Sequence, residues 1–313
     1  MLRIAFFFLL AFLSTVVAAA SCPDTGTQLQ VLGSGGPGHH DHRAGSAYLV
    51  WINGKSRILV NAGNGSSLRF QESGARFEQL DVIALSRLHA DQTAGLPGIV
   101  SAARTGNRSR ALPVFGPDGS KTMPSTVAFV RALFDQRRGV WRELGSVLSP
   151  LGTKGFKLRP HDIRTVIKGG KPELVKAQKA NPIFNNGALR LSAAAGTFAN
   201  APVLSWRVHT GTGSIVFISD TPGTGLQKFA KGADILVAHI AANGTGDAGR
   251  NRAATPEELG RLAAASGIKH LVLARRMDPG GDKEKATVQK IKQSFGGKIS
   301  LAEDLACYQI GKP

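Results

Sequence analysis

The stretch from Leu80 to Gly98, LDVIALSRLHADQTAGLPG, constrains the fold of this chain more than any other. Val82 to Leu85 is a short continuous apolar run, the pattern of a buried strand. It passes directly into a polar turn holding Arg87, His89, Asp91 and Gln92, and then into a small-residue segment with Gly95, Leu96 and Pro97. Four polar side chains gathered where a buried strand gives way to a turn make this the first candidate site.

The flanking sequence supplies more short strands. Thr27 to Leu32 reads as a first strand and Gly33 to Gly38 as a glycine turn, followed by His39-His40-Asp41-His42. The glycine turn does not open a helix, so it is not a dinucleotide loop. Ala47 to Ile52 and Arg57 to Asn61 read as two strands joined at Asn53-Gly54, a hairpin signal. Phe77 to Leu80 leads into the central strand. Leu112 to Phe115 is a further strand closed by Gly116-Pro117, and Met123 to Phe134 has helical spacing. Residues 138–185 read as strands and loops of an excursion and not as a second domain. Ala188 to Ala193 and Val203 to Val208 read as paired strands. Ser214 to Ser219 is an apolar strand ending at Asp220, a helix starts at Leu226 to Phe229, and Ile235 to Ala238 is a buried strand. Thr255-Pro256-Glu257-Glu258 carries a capping hydroxyl, a first-turn proline and early acids, so a helix is expected from there to about Ala265. His270 to Leu273 is expected to be the last core strand, with a lysine-rich helix after it to about Phe295.

In their order, VLGSGGP, SAYLVWINGKSRILVNAGNG, the central turn, LPVFGPDG, PVLSWRV, SIVFISDT, ADILVAH, TPEELGRLAAASG and HLVLARRM resemble the metallo-β-lactamase fold superfamily, in particular its ribonuclease Z-like and exported hydrolase members. The resemblance implies an α/β fold, an αββα sandwich of two mixed sheets with helices outside, over residues 21–313 as one domain. It also implies a two-metal site at the sheet edge, whose signature is His-x-His-x-Asp-His after a strand. Against that signature Arg87 stands at the first His, His89 at the second, Asp91 at the Asp and Gln92 at the last His. The family's earlier Asp falls on Asn61, and its bridging Asp falls on Asp220. The loop expected to carry a third His, Gly196 to Ala201, has none. A later His position falls near Ala253, and the last ligand position falls on Arg275.

His89, Asp91 and Asp220 therefore remain as metal ligands, with Asp91 as the candidate catalytic group, and four histidine positions do not. In the family these three do not serve one ion, so neither ion keeps the three protein ligands a catalytic site wants. Arg87 and Arg275 place cations in the vacated pocket, which opposes a dinuclear centre. The expectation is that they pair with Asp91 and Asp220, substituting guanidinium for metal charge. Arg87, Gln92 and Arg275 then become candidate ligand-binding residues for a small anion such as a phosphate or carboxylate, with no resident cofactor. The alternative is an ester or phosphodiester hydrolase using one zinc or manganese ion held by His89, Asp91 and Asp220, with the His39–His42 loop, otherwise a solvated polar loop, as a source of further ligands. His239, beside the late-strand position, is read as a core or rim histidine.

Address and charge complete the reading. Arg3, the apolar run Ile4 to Val17 and Ala18-Ala19-Ala20 read as a signal peptide over residues 1–20, which implies a periplasmic or secreted protein. The run is shorter than the roughly 20 residues of a spanning helix, and no later stretch is long and apolar enough to cross a bilayer. Cys22 and Cys307 are the two cysteines. Export permits a disulfide between them, and two buried thiols are the alternative. Without Arg3 the chain carries 38 Lys and Arg against 21 acids, a net charge of +17. Such a balance suits phosphates, anionic lipid or acidic polymers. Three Trp and two Tyr give little aromatic interleaving, which argues against a single-strand nucleic-acid groove.

Overall fold

The computed structural model describes residues 22–37, 42–149, 155–168, 171–174, 182–198, 201–218, 225–239, 254–276 and 281–311. The chain runs β1 (Thr27–Gly33), β2 (Ala47–Ile52), β3 (Lys55–Val60), α1 (Ser66–Glu72), β4 (Val82–Ala84), α2 (Ala90–Thr93), α3 (Leu96–Ala103), β5 (Leu112–Pro117), α4 (Thr126–Phe134) and β6 (Leu158–Ile163). Next come β7 (Thr165–Lys168), β8 (Lys171–Leu174), β9 (Phe184–Asn185), β10 (Leu189–Phe198), β11 (Ala201–Thr210) and β12 (Gly213–Phe217). It ends with α5 (Leu226–Ala230), β13 (Ile235–His239), α6 (Pro256–Ala265), β14 (His270–Ala274), α7 (Asp282–Lys292), β15 (Lys298–Leu301) and β16 (Cys307–Ile310).

The strands form two seven-stranded sheets, β16-β1-β2-β3-β4-β5-β6 and β15-β14-β13-β12-β11-β10-β9, while β7 and β8 pair as a separate ribbon. Both sheets are mixed. In the first, β3 to β6 are parallel and β16 to β3 antiparallel. In the second, β12 to β15 are parallel. The inner faces meet in one apolar layer, with Val31, Tyr48, Val60, Trp206, Ile215 and Val272 among its members. Helices cover both outer faces, over Leu49, Leu59 and Ile83 on one side and Val216, Leu236 and Leu271 on the other. This is the α/β sandwich of two mixed sheets with helices outside that the resemblance implies.

Local chemistry accounts for the elements. Asn53 and Gly54 both take positive φ, 48° and 68°, as the two-residue turn between β2 and β3 requires. All of β1 is buried, because both sheet faces are covered, and its polar residues are satisfied inside: Trp51 Nε1 donates to Gln30 Oε1 at 2.9 Å. At α6 the Thr255 hydroxyl accepts from Glu258 N–H while the Glu258 carboxylate accepts from Thr255 N–H, a closed capping box.

Several sequence expectations shift. The helix expected from Met123 starts at Thr126, since Pro124 precedes the Ser125 cap, whose hydroxyl accepts from Ala128 N–H. Within 138–185, residues 158–163 are no excursion but a parallel neighbour of β5. Phe77–Gln79, which leads into β4, is a short 3-10 turn. Gly196, Thr197 and Phe198 lie in β10 and not in a loop, paired with Val203, Pro202 and Ala201 in a long hairpin. His270–Ala274 is the last fully buried strand, and two half-exposed strands follow it. β15 extends its sheet, and β16 returns to pair with β1. Cys22 and Cys307 are joined in a disulfide, 285 residues apart in sequence, which ties β16 to the segment that precedes β1.

Candidate functional site

The site forms where parallel strands of both sheets end. Asn61 follows β3 with φ 58°, a left-handed conformation that asparagine tolerates better than most residues. Its N–H donates to Ala84 O at 2.9 Å, and its Oδ1 accepts from Ser86 N–H at 2.8 Å. At the family's acidic position the side chain therefore braces the end of β4. Ser86 O in turn accepts from Leu204 N–H at 2.8 Å, which joins the two sheets under the turn.

Beyond Ser86 the chain makes the α2 turn with His89 at its N-cap. Close backbone packing fixes that turn. Ala62 N–H donates to Gln92 O at 2.7 Å, and Gly95 N–H donates to Ala62 O at 2.8 Å. A Cβ on Gly63 would stand 2.5 Å from the Asp91 carbonyl oxygen, and one on Gly45 2.7 Å from it. Only glycine allows this approach.

The side chains converge on Asp91. Arg87 Nη2 donates to Asp91 Oδ2 at 2.6 Å, and Arg275 Nε lies 3.7 Å from the same oxygen. Arg87 is 2% exposed although it carries a full guanidinium. The Phe198 ring lies under it, with the guanidinium carbon 4.7 Å from the centroid, a cation–π contact. His89 meets the same ring edge-on at 5.9 Å. The Nδ1 of His89 and both amide atoms of Gln92 are buried, and none has a hydrogen-bond partner among the described residues.

Arg275 directly follows β14 and also takes a left-handed φ, 57°. On the adjacent strand His239 pairs in register with Ala274, so it sits beside Arg275 at the same sheet edge. Burial lowers the His239 pKa to about 3, and the Arg275 and Arg87 charges push the same way against Asp91. His239 is therefore neutral at physiological pH. Burial lowers the pKa of His89 as well, with Arg87 adding to it. Arg87 itself is brought down to about 10 by burial, opposed by Asp91, and remains cationic at neutral pH.

The structure thus brings Arg87, His89, Asp91 and Arg275 together, with Gln92 in the same turn. Asp220 and residues 39–41 lie outside the described residues, and His42 is exposed. Among the described residues, no three His, Cys, Asp or Glu side chains are grouped to hold a metal ion. The sequence reading passed over Phe198, the aromatic base under Arg87. A single large ring in the small-residue run Ala193 to Ala201 was the signal for it.

Residues 56–274 match the family model described as the β-lactamase superfamily domain. Among curated relatives, a ribonuclease Z of Clostridium botulinum (strain Alaska E43 / Type E3) is 37% identical over 76 residues, 24% of this chain. The matched stretch spans about a quarter of that relative's length, also 24%. A ribonuclease Z of Bradyrhizobium sp. (strain ORS 278) is 28% identical over 259 residues, covering 76% of this chain and 84% of the relative. Among solved structures, the metallo-β-lactamase fold protein YhfI from Bacillus subtilis aligns with a TM-score of 0.67 at 17% identity, covering 90% of this chain and 98% of that one. The short form of human tRNase Z aligns with a TM-score of 0.64 at 19% identity, covering 90% and 99%. At these identities the structural likeness speaks for the fold alone.

Proposed function

Because the chain belongs to the metallo-β-lactamase superfamily, with ribonuclease Z-like relatives, we propose that it is an exported member whose dinuclear metal centre is largely lost and whose cleft binds a small anion. Its fold and relatives support descent from metallo-hydrolases. One observation carries the reading: the carboxylate at the family's Asp position, Asp91, is held by Arg87 at 2.6 Å, and Arg87 itself stands where the family has a metal ligand.

The described donors do not fit a divalent ion. Such an ion would compete with Arg87 for Asp91 and would face a fixed positive charge. About 4 Å from one guanidinium, at an effective dielectric of about 20, the repulsion is roughly 8 kcal/mol. The same two guanidiniums suit a phosphate or carboxylate, for which arginine offers a planar fork of donors. Gln92 and the neutral His89 and His239 add polar groups without adding charge.

A second reading has its own support in the buried His89 Nδ1, which is free of protein partners among the described residues. In that reading His89, Asp91 and Asp220 hold one zinc or manganese ion, and Asp91 serves as the basic group of an ester or phosphodiester hydrolase.

Metal analysis of protein purified without chelator, together with calorimetric titration of phosphate and simple carboxylates, tests the first reading. The expected result is substoichiometric metal and measurable anion binding weakened by Arg275→Gln. About two zinc ions per chain overturns it. Turnover of a generic phosphodiester that needs zinc or manganese and disappears in His89→Ala establishes the second reading instead.

A further inference from the structure

We propose that the loop following α4, far in sequence from the candidate site, is a docking surface for an anionic lipid bilayer. It presents Val140 and Trp141 side by side, 69% and 37% exposed, and these are two of the four large hydrophobic residues that stand exposed among the described residues. The other two, Leu68 and Val166, are isolated on other elements, and single exposed apolar side chains need no explanation. Val140 and Trp141 differ in being adjacent and in having Arg131, Arg137, Arg138 and Arg142 around them, all exposed.

The loop is preformed. Val140 N–H donates to Ala132 O at 2.9 Å and Trp141 N–H to Leu133 O at 2.8 Å, so the tip folds back onto the end of α4. A Cβ on Gly139 would meet Asp135 N at 2.5 Å, which makes glycine necessary at the bend. Leu144 and Val147, in the 3-10 turn that follows, are buried and anchor the far side. Little ordering entropy is then lost when the tip binds. Two acids lie nearby: Asp135, whose carboxylate accepts from Arg137 and Arg138 N–H at 2.9 and 2.8 Å within the loop, and the exposed Glu143, so four arginines face two acids here.

The chemistry matches a membrane interface. An indole settles at headgroup level, a branched aliphatic beside it enters the acyl boundary, and arginines reach back to lipid phosphates along their apolar stems. A juxtamembrane cation strengthens binding to an anionic surface by about fivefold. RNA fits less well, because a single-strand site needs a series of stacking faces and this tip offers one ring next to an aliphatic side chain.

Trp141 also supplies the readout. The chain has three tryptophans, and Trp51 and Trp206 are buried, so a surface-induced emission change reports Trp141. Full-length mature protein is titrated with vesicles of phosphatidylcholine alone and with vesicles containing about 30% phosphatidylglycerol, at low and high salt, with emission and co-sedimentation followed. The expected result is a blue shift and co-sedimentation with the anionic vesicles only, weakened at least tenfold at high salt. Trp141→Ala abolishes the shift and weakens sedimentation. The pair Arg137→Gln and Arg138→Gln weakens sedimentation about 20-fold, and Leu68→Ala changes neither. Absence of binding to the anionic vesicles, equal binding to neutral ones, or a Trp141 response to polyuridylate but not to vesicles overturns the proposal.

Discussion

Arg87 and Asp91, four residues apart in sequence, form a nearly dry ion pair at 2.6 Å, with Phe198 beneath the guanidinium and Arg275 3.7 Å from the shared carboxylate oxygen. Two cations therefore share one carboxylate oxygen in a space that water scarcely reaches. Removing the acid should hurt more than removing either base. Asp91→Ala is expected to lower unfolding stability by about 3–5 kcal/mol, since it removes from between two buried guanidiniums the carboxylate that both approach. Arg87→Met should cost less, because Arg275 still faces Asp91 and the methionine fills the space of the arginine stem. Urea unfolding of both variants checks the order, and a loss under about 1 kcal/mol for Asp91→Ala would show the pair to behave like a surface bridge.

Acid should destabilise the protein through His239. Burial, aided by Arg275 and Arg87, holds its folded pKa at about 3, while the unfolded value is 6.5. The unfolded chain then binds more protons between those limits, so stability is full above pH 6.5 and falls as pH drops toward 3. By pH 5 this one residue should remove about 2 kcal/mol. His239→Gln should flatten the fall by that amount. Unfolding midpoints for both proteins at pH 7 and pH 5 supply the comparison.

Much of this was legible in the sequence because the elements depend on local signals. The Asn53-Gly54 turn, the Thr255 capping box and the apolar run at Val82 each carry their own chemistry and fold as expected. What escaped depends on partners distant in sequence. Half-exposed edge strands such as β15, and β16 held by pairing with β1, show little apolar alternation. Residues 196–198 read as a loop because glycine and alanine hide strand patterning, and the cross-strand partners at 201–203 decide the matter. The aligned positions of Arg87 and Asp91 suggested their pairing. The place of Phe198 under Arg87 followed only from the two-sheet packing.

Reduction of the Cys22–Cys307 disulfide should act on the whole molecule and not on the site alone. The bond closes a loop of 285 residues, and the chain-entropy account gives it roughly 5–6 kcal/mol, an upper figure for so long a closure. It also holds β16 against β1, where Cys307 pairs with Gln30. Reduced protein, or the Cys22→Ser and Cys307→Ser pair, should melt several degrees lower. Hydrogen exchange should rise first at residues 307–310.

Gln92 offers the clearest division between folding and function. Its side chain is fully buried, and neither Oε1 nor Nε2 meets a hydrogen-bond partner among the described residues. A buried amide with no protein partner opposes folding by about 1–3 kcal/mol. Methionine has nearly the same length and no such group, and the Gln92 backbone contacts to His89 and Ala62 do not depend on the side chain. Gln92→Met should therefore raise stability by about 1–2 kcal/mol in thermal or urea unfolding. If the amide serves the anion in the cleft, the same substitution should weaken phosphate binding, so the gain in stability and the loss in affinity appear in one variant. A more stable protein with unchanged phosphate affinity would separate Gln92 from the ligand while leaving the guanidiniums as its site.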